Sequence, residues 1–327
     1  MTNHQNDVAV SELIGFILLL GLVLIAMSLY TLYVVPVNGR EDEIAQMNYV
    51  EEQFTDYKFM VDTLWTSRLI NVNGANPIYP VLNVTPMISS TTLKLGTGGN
   101  TQLGGLSLAL FNPVPSYGTL SINTTGDTFN IETNSYNSSV NNGEFPINIS
   151  ALVYRSNNYY WIQQQYSYQL GGVFLSQDNG TINRISPLIS INNAAGNSTV
   201  VTIVPVQVFG NGSYSSNGLV RVDTRQRTVP DYNISLSQYR NNQWVNLSIT
   251  TANNATAAAW LNIFKNIVSN EKIHPSVYTI SSAWNPSSKR TTVYIKINGT
   301  PPNPLVSLYV QRAEFDVALS SVATEST

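Results

Sequence analysis

From Leu13 to Asn38 the chain reads LIGFILLLGLVLIAMSLYTLYVVPVN, a stretch without one charged side chain. A helix crosses a bilayer with about 20 apolar residues, so this run is read as a transmembrane helix. A secretory signal peptide would need a basic start, a shorter apolar core and a small-residue cleavage site. Met1 to Asp7 hold no Lys or Arg, the run is too long, and Pro36-Val37-Asn38-Gly39 reads as a bend that breaks the helix. The anchor is therefore expected to stay on the protein. The nearest basic residue, Arg40, is followed at once by Glu41, Asp42 and Glu43, so the positive-inside rule gives no orientation.

Beyond the bend, Met47, Val50, Phe54, Tyr57, Val61 and Leu64 recur at alternating spacings of three and four, the seam of a packed or coiled helix. The seam fixes neither partner nor oligomer. It suits a helix lying on its own head domain as well as a stalk packed on neighbouring copies. Glu41, Asp42, Glu43, Glu51, Glu52, Asp56 and Asp62 are expected on the solvated face. At 1.5 Å per residue, helix from Val10 to Leu69 would extend roughly 85–90 Å.

From Asn71 the texture changes to short β-rich runs between Gly, Pro, Asn and Ser: 91–95, 106–111, 147–154, 200–209, 219–223, 245–250, 291–297 and 305–310. Alternation such as Thr292-Val293-Tyr294-Ile295-Lys296-Ile297 marks strands with one buried face, and Asp178-Asn179-Gly180 marks a hairpin turn. Residues 257–270 read instead as a helix with Trp260, Leu261, Phe264, Ile267 and Val268 on one side and Thr256 as its cap. The expected class is α+β: a polar leader 1–9, a transmembrane helix 10–38, a stalk helix 39–70, and a sandwich-like β head 71–327 of one or two subdomains with one short helix.

Composition narrows the chemistry. Only 11% of residues are charged, and 16 Lys and Arg face 19 Asp and Glu, so no basic surface exists for nucleic acid. Acids outnumber bases nine to three in residues 1–70, whereas bases lead thirteen to ten in the rest. There is no cysteine, which removes thiolate metal sites, a thiol nucleophile and disulfides. His274 has only Glu271 as a sequence-near carboxylate. Paired acids for glycoside cleavage would have to come from Asp127, Glu132, Glu144, Asp178, Asp223, Asp231, Glu271, Glu314 and Asp316. Gly96-Thr97-Gly98-Gly99 lacks the lysine and helix of a phosphate loop. No cofactor or metal is implied, and a non-enzymatic role is expected.

The opening Val8-Ala9-Val10-Ser11-Glu12-Leu13-Ile14-Gly15-Phe16, running straight into the apolar helix, resembles the class III signal region of archaeal type IV pilin-like proteins. The resemblance covers about residues 7–35. It implies a prepilin-type peptidase acting on the cytoplasmic side, here between Ala9 and Val10, and apolar helices that bundle into a filament core with like or related subunits. The departure is Val8, which stands where the pattern has a charged residue, with Asp7 one position earlier. Glu12 is costly inside an apolar phase. It would pair with the freed α-amino group of Val10 on a neighbour, or else act as a first-turn carboxylate behind a Ser11 cap. Gly15 and Gly21 are six apart and read as packing sites rather than a small-xxx-small pair.

Eleven Asn-x-Ser/Thr sequons lie beyond the membrane segment, at Asn83, Asn123, Asn137, Asn148, Asn179, Asn197, Asn211, Asn233, Asn246, Asn254 and Asn298. As glycosylation candidates they favour a head outside the cell. Arg221, Arg225 and Arg227 alternate with Asp223 on one strand face, and Tyr160 and Trp161 head an aromatic cluster with Tyr159, Tyr166, Tyr168 and Gln163 to Gln165. Either would suit a surface glycan, against ordinary roles as gatekeeper charges and core aromatics. Two readings result: a filament subunit, structural or minor and with adhesion as an added role, or a membrane-anchored module that binds carbohydrate or envelope through a soluble 71–327 fragment.

Overall fold

A single helical rod leads the chain, α1 (His4–Leu29) passing through a five-residue π turn, Tyr30–Val34, into α2 (Val35–Asn73). This computed structural model describes residues 4–73, 87–98, 112–134, 145–178, 180–194, 198–227, 237–299 and 305–322, with side chains outside 4–11, 67–73, 193–194, 198 and 237–241. The expected break at Pro36–Gly39 does not occur. Pro36 lacks an N–H and its ring crowds the carbonyl four residues back. The rod accommodates it by widening one turn earlier, where the Val35 N–H donates to the Tyr30 carbonyl five residues back.

The head begins with β1 (Ile88–Lys94), β2 (Tyr117–Thr133), β3 (Ile147–Asn157), β4 (Gln164–Gln169), β5 (Gly172–Gln177) and β6 (Gly180–Ile185). It continues with β7 (Leu188–Ala194), β8 (Ser198–Val204), β9 (Val206–Phe209), β10 (Gly212–Ser216), β11 (Leu219–Gln226), β12 (Ser237–Asn242) and β13 (Trp244–Thr251). After α3 (Asn254–Asn270) come β14 (Tyr278–Asn285), β15 (Arg290–Asn298), β16 (Val306–Val310) and β17 (Ala313–Ser321). The central sheet runs β14-β15-β13-β2-β3-β4-β5-β6, with β10 also paired to β2. Two four-stranded sheets, β1-β11-β17-β9 and β12-β16-β8-β7, complete an α+β fold.

Side-chain alternation sends the central sheet into two separate cores. On β3, Ile147 and Ile149 enter one while Leu152 and Tyr154 enter the other; on β5, Phe174 parts company with Val173 and Leu175 in the same way. Because successive strand residues point to opposite faces, the two cores lie on opposite sides of the sheet. One core is closed by α3 and the β12-β16-β8-β7 sheet, with Trp260 and Phe264 at its centre. The other is closed by α2 and the β1-β11-β17-β9 sheet. Two neighbouring crossings join them. The single strand expected over 200–209 is divided at Pro205 into β8 and β9, and β16 passes to β17 beside it, each pair parallel. Proline cannot donate to a ladder, so the chain changes partner sheet there.

The seam of α2 is filled by the head. Met47, Val50, Phe54, Tyr57, Val61 and Leu64 are all buried in the second core, so this helix is a component of the head rather than a free stalk. Phe54 lies against Tyr166 with ring centroids 6.0 Å apart, and Tyr57 meets Tyr168 edge-on at 5.1 Å. The helix α3 starts three residues earlier than expected, capped by Asn253, whose Oδ1 accepts from the N–H groups of Ala255 and Thr256.

Candidate functional site

None of the most apolar window of the rod between Glu12 and Val34 is buried. It is one helix long and apolar enough to cross a membrane. Leu13, Phe16, Leu18, Leu22, Ile25 and Leu32 are exposed in directions all round the axis. Leu13 to Val34 would span about 33 Å, against a hydrocarbon core of about 30 Å. Gly15 and Gly21 open onto empty space, where an added Cβ would meet nothing within 4 Å. The helix begins at His4, so Ala9, Val10 and Ser11 are already helical and the exposed Glu12 lies beyond the first turn. A Ser11 cap is therefore replaced by continuous helix.

Where the rod enters the head, three contacts fix its direction. Gly39 lies so close to the β3–β4 loop that a Cβ there would stand 2.4 Å from the Tyr160 ring and 2.9 Å from Pro113. One turn on, Glu43 is buried, and its carboxylate accepts the backbone N–H groups of Tyr159 (2.6 Å), Tyr160 (2.8 Å) and Trp161 (2.6 Å). The Arg40 guanidinium sits 4.7 Å from the centre of the Trp161 ring, and the Tyr160 hydroxyl accepts the Val114 N–H at 3.2 Å. Tyr160 and Trp161, candidates for a glycan face, are thus engaged in holding the rod. Tyr166 and Tyr168 are core residues, and burial pushes both phenols above their ordinary range.

The acidic face expected on α2 divides. Glu41, Asp42, Glu52 and Asp56 are exposed, but Glu43 is internal. Glu51 accepts from the Tyr166 hydroxyl and Arg184, each at 3.0 Å, and Asp62 pairs with the buried Lys58 at 2.6 Å.

Of the arginine row, Arg221 and Arg225 lie on β11, pointing outward where Val220, Val222 and Thr224 point inward, and Arg227 follows the strand's end. Arg221 pairs with Asp223 at 2.9 Å, and Asp223 also accepts from the Ser90 hydroxyl. Arg227 pairs with Asp316 at 2.8 Å and stacks over Phe209. This row and the Tyr160–Trp161 loop belong to different sheets and do not form one face.

A further polar face was not anticipated. Opposite α3, β2, β13 and β15 align Asn130 with Ser248 and Tyr294, and Glu132 with Asn246 and Lys296. The Glu132 carboxylate accepts from the amides of Asn130 and Asn246, each at 3.1 Å, and the Lys296 ammonium stands 4.8 Å over the Trp244 ring. Only the strand register, which a single sequence does not print, brings these residues together. Asn148, Asn246 and Asn298 lie on this same side of the sheet. Asn123, Asn211 and Asn254 are exposed elsewhere, while Asn83, Asn137, Asn179, Asn197 and Asn233 lie outside the described residues.

The candidate acids do not gather. Asp127 faces Arg290 at 3.2 Å and burial raises its carboxyl above the usual range; Glu314 pairs with Arg312 and Asp316 with Arg227. Glu144 and Asp231 lie outside the described residues. His274 accepts the Ser276 N–H as the cap of a 3-10 turn. Among the described residues no three His, Asp or Glu side chains come together as a metal-binding group. Comparison with known protein families, curated proteins and solved structures returned no match.

Proposed function

We propose that the chain is a pilin-like, membrane-anchored cell-surface protein that serves as a structural or minor subunit of an archaeal type IV pilus-like filament, with its head outside. The observation that carries this reading is the rod, whose apolar window is unburied and which is continuous with a helix built into the head core. Such a rod needs lipid before assembly and the helices of like subunits afterwards. The Ala9-Val10-Ser11-Glu12 sequence ahead of it supports processing by a prepilin-type peptidase. Glu12 then stands two residues from a new α-amino group, the partner that would offset its cost in an apolar bundle. The sequons support an external, glycosylated head.

Exchange of Glu12→Ala and Gly15→Leu in the native cell tests this. Both positions are exposed and the glycine has open space, so the head folds in either variant. Loss of sheared filaments with a folded head in the membrane is expected; normal filaments from both variants would overturn the reading.

A second reading, an anchored module that binds carbohydrate or envelope without assembling, is favoured by the polar face where half-buried Trp244, Tyr294, Asn130 and Asn246 surround the exposed Glu132. Aromatic rings beside amides and a carboxylate suit a sugar's apolar face and hydroxyls.

A further inference from the structure

The contacts that lock the rod also leave a ring of exposed side chains around its exit. Val114 is 51% exposed and Tyr159 57%, and the 112–115 and 159–161 segments bearing them flank α2 at Gly39 to Glu43. Gly39 is five residues beyond Val34, so this ring lies about 7–8 Å along the axis from the end of the bare apolar stretch. A bilayer of about 40–45 Å with a hydrocarbon core of about 30 Å leaves a headgroup layer of about 5–8 Å on each side. The ring stands at that depth. Tyr and Trp collect there because their rings are apolar and their polar tips stay wet.

We infer that Val114 and Tyr159 form a collar that seats the head in the headgroup layer of the bilayer crossed by α1; the inference rests on the anchoring reading above. The collar holds its shape without lipid, since Glu43 fixes the loop of Tyr159 to Trp161 and the Tyr160 hydroxyl fixes Val114. Among the described residues the ionic groups at this level are Arg40, already stacked on Trp161, the exposed acids Glu41 and Asp42, and Lys94, whose ammonium lies beside Gly98; the two signs balance. Attraction therefore comes from partition of rings and aliphatic groups into a zwitterionic layer, not from charge. Rigid seating would present every head at one height and tilt before assembly.

The absence of native cysteine makes the test direct. Val114→Cys, Tyr159→Cys, Ile182→Cys and Leu24→Cys are each made in the full chain, nitroxide-labelled and placed in phosphatidylcholine vesicles. All four positions are exposed, so the fold is retained. Collision with oxygen and with a water-soluble nickel chelate reads label depth. The expected result is a Leu24 label deep in hydrocarbon, an Ile182 label in water, and labels at 114 and 159 between them, unchanged by added salt. Labels at 114 and 159 as aqueous as the one at 182, with the Leu24 label still deep, would overturn the collar alone. An aqueous Leu24 label would overturn the anchoring reading with it.

Discussion

The carboxylate of Glu43 accepts the backbone N–H of Trp161 at 2.6 Å, joining the first turns of α2 to a loop of the head 118 residues later in the chain. The same carboxylate takes the N–H groups of Tyr159 and Tyr160, so one buried side chain satisfies three loop donors. Charge-assisted bonds of this kind are among the stronger ones, and leaving a buried donor unpaired costs about 1–3 kcal/mol.

Glu43→Ala should accordingly destabilise the head by about 3–5 kcal/mol in urea unfolding. Glu43→Gln, which keeps the shape and one acceptor oxygen, should lose less. Equal stability of the alanine variant and the parent would contradict the role given to this carboxylate.

Gly39→Val places methyl groups where the Tyr160 ring already stands. Overpacking of this kind costs about 1–3 kcal/mol. The double variant Gly39→Val with Tyr160→Ala should recover part of that loss, because the ring that obstructs the new side chain is gone. A double-variant cycle with no coupling would show that the two positions do not meet.

The fragment 71–327, expected from the sequence to be a soluble head, should not fold. It lacks Met47, Val50, Phe54, Tyr57, Val61 and Leu64, which close one of the two cores. At about 1.5–3 kcal/mol for each buried side chain, the loss matches or exceeds the whole stability of an ordinary domain, about 5–15 kcal/mol. The fragment 35–327, which keeps α2 and drops the bare rod, should give a cooperative thermal transition. Cooperative unfolding of 71–327 would contradict the placement of this helix.

Acid should expose the role of Asp223. The Ser90 hydroxyl, acting against a small burial penalty and joined by Arg221, holds its carboxyl below the usual carboxylate range. A carboxyl with a lower pKa folded than unfolded stabilises the fold above its unfolded value, and that contribution is lost as pH falls through the folded value. As pH falls below about 4, the ordinary value of an aspartate, the parent should therefore lose more stability than Asp223→Asn. Superimposable acid limbs would show that the Ser90 bond contributes nothing.

Much of this architecture was legible because it obeys one period at a time. The apolar run, the three-and-four seam of α2 and the face of α3 are each local patterns, and each corresponds to a helix in place. Period alone does not name what fills the seam, which here is the head itself. The longest strand, β2, went unread because Asn123-Thr124-Thr125-Gly126-Asp127 carries the composition of a turn. In the fold, two extra residues bulge between Thr124 and Thr128 with Gly126 at φ +76°, and the strand continues. Local pattern alone puts Glu43 on a solvated acidic face, because its three partners come from a distant loop. The helix break at Pro36 failed for a different reason: a π turn absorbs the missing donor.

N-terminal sequencing of the protein from sheared surface filaments and from washed membranes of the native cells tests the central claim most directly. The pilin-like reading predicts Val10 as the first residue in the sheared fraction, with Ser11 and Glu12 following. Met1 or Thr2 as the first residue, found in the membranes and not in the sheared fraction, would contradict it and leave an anchored head whose ligand lies elsewhere.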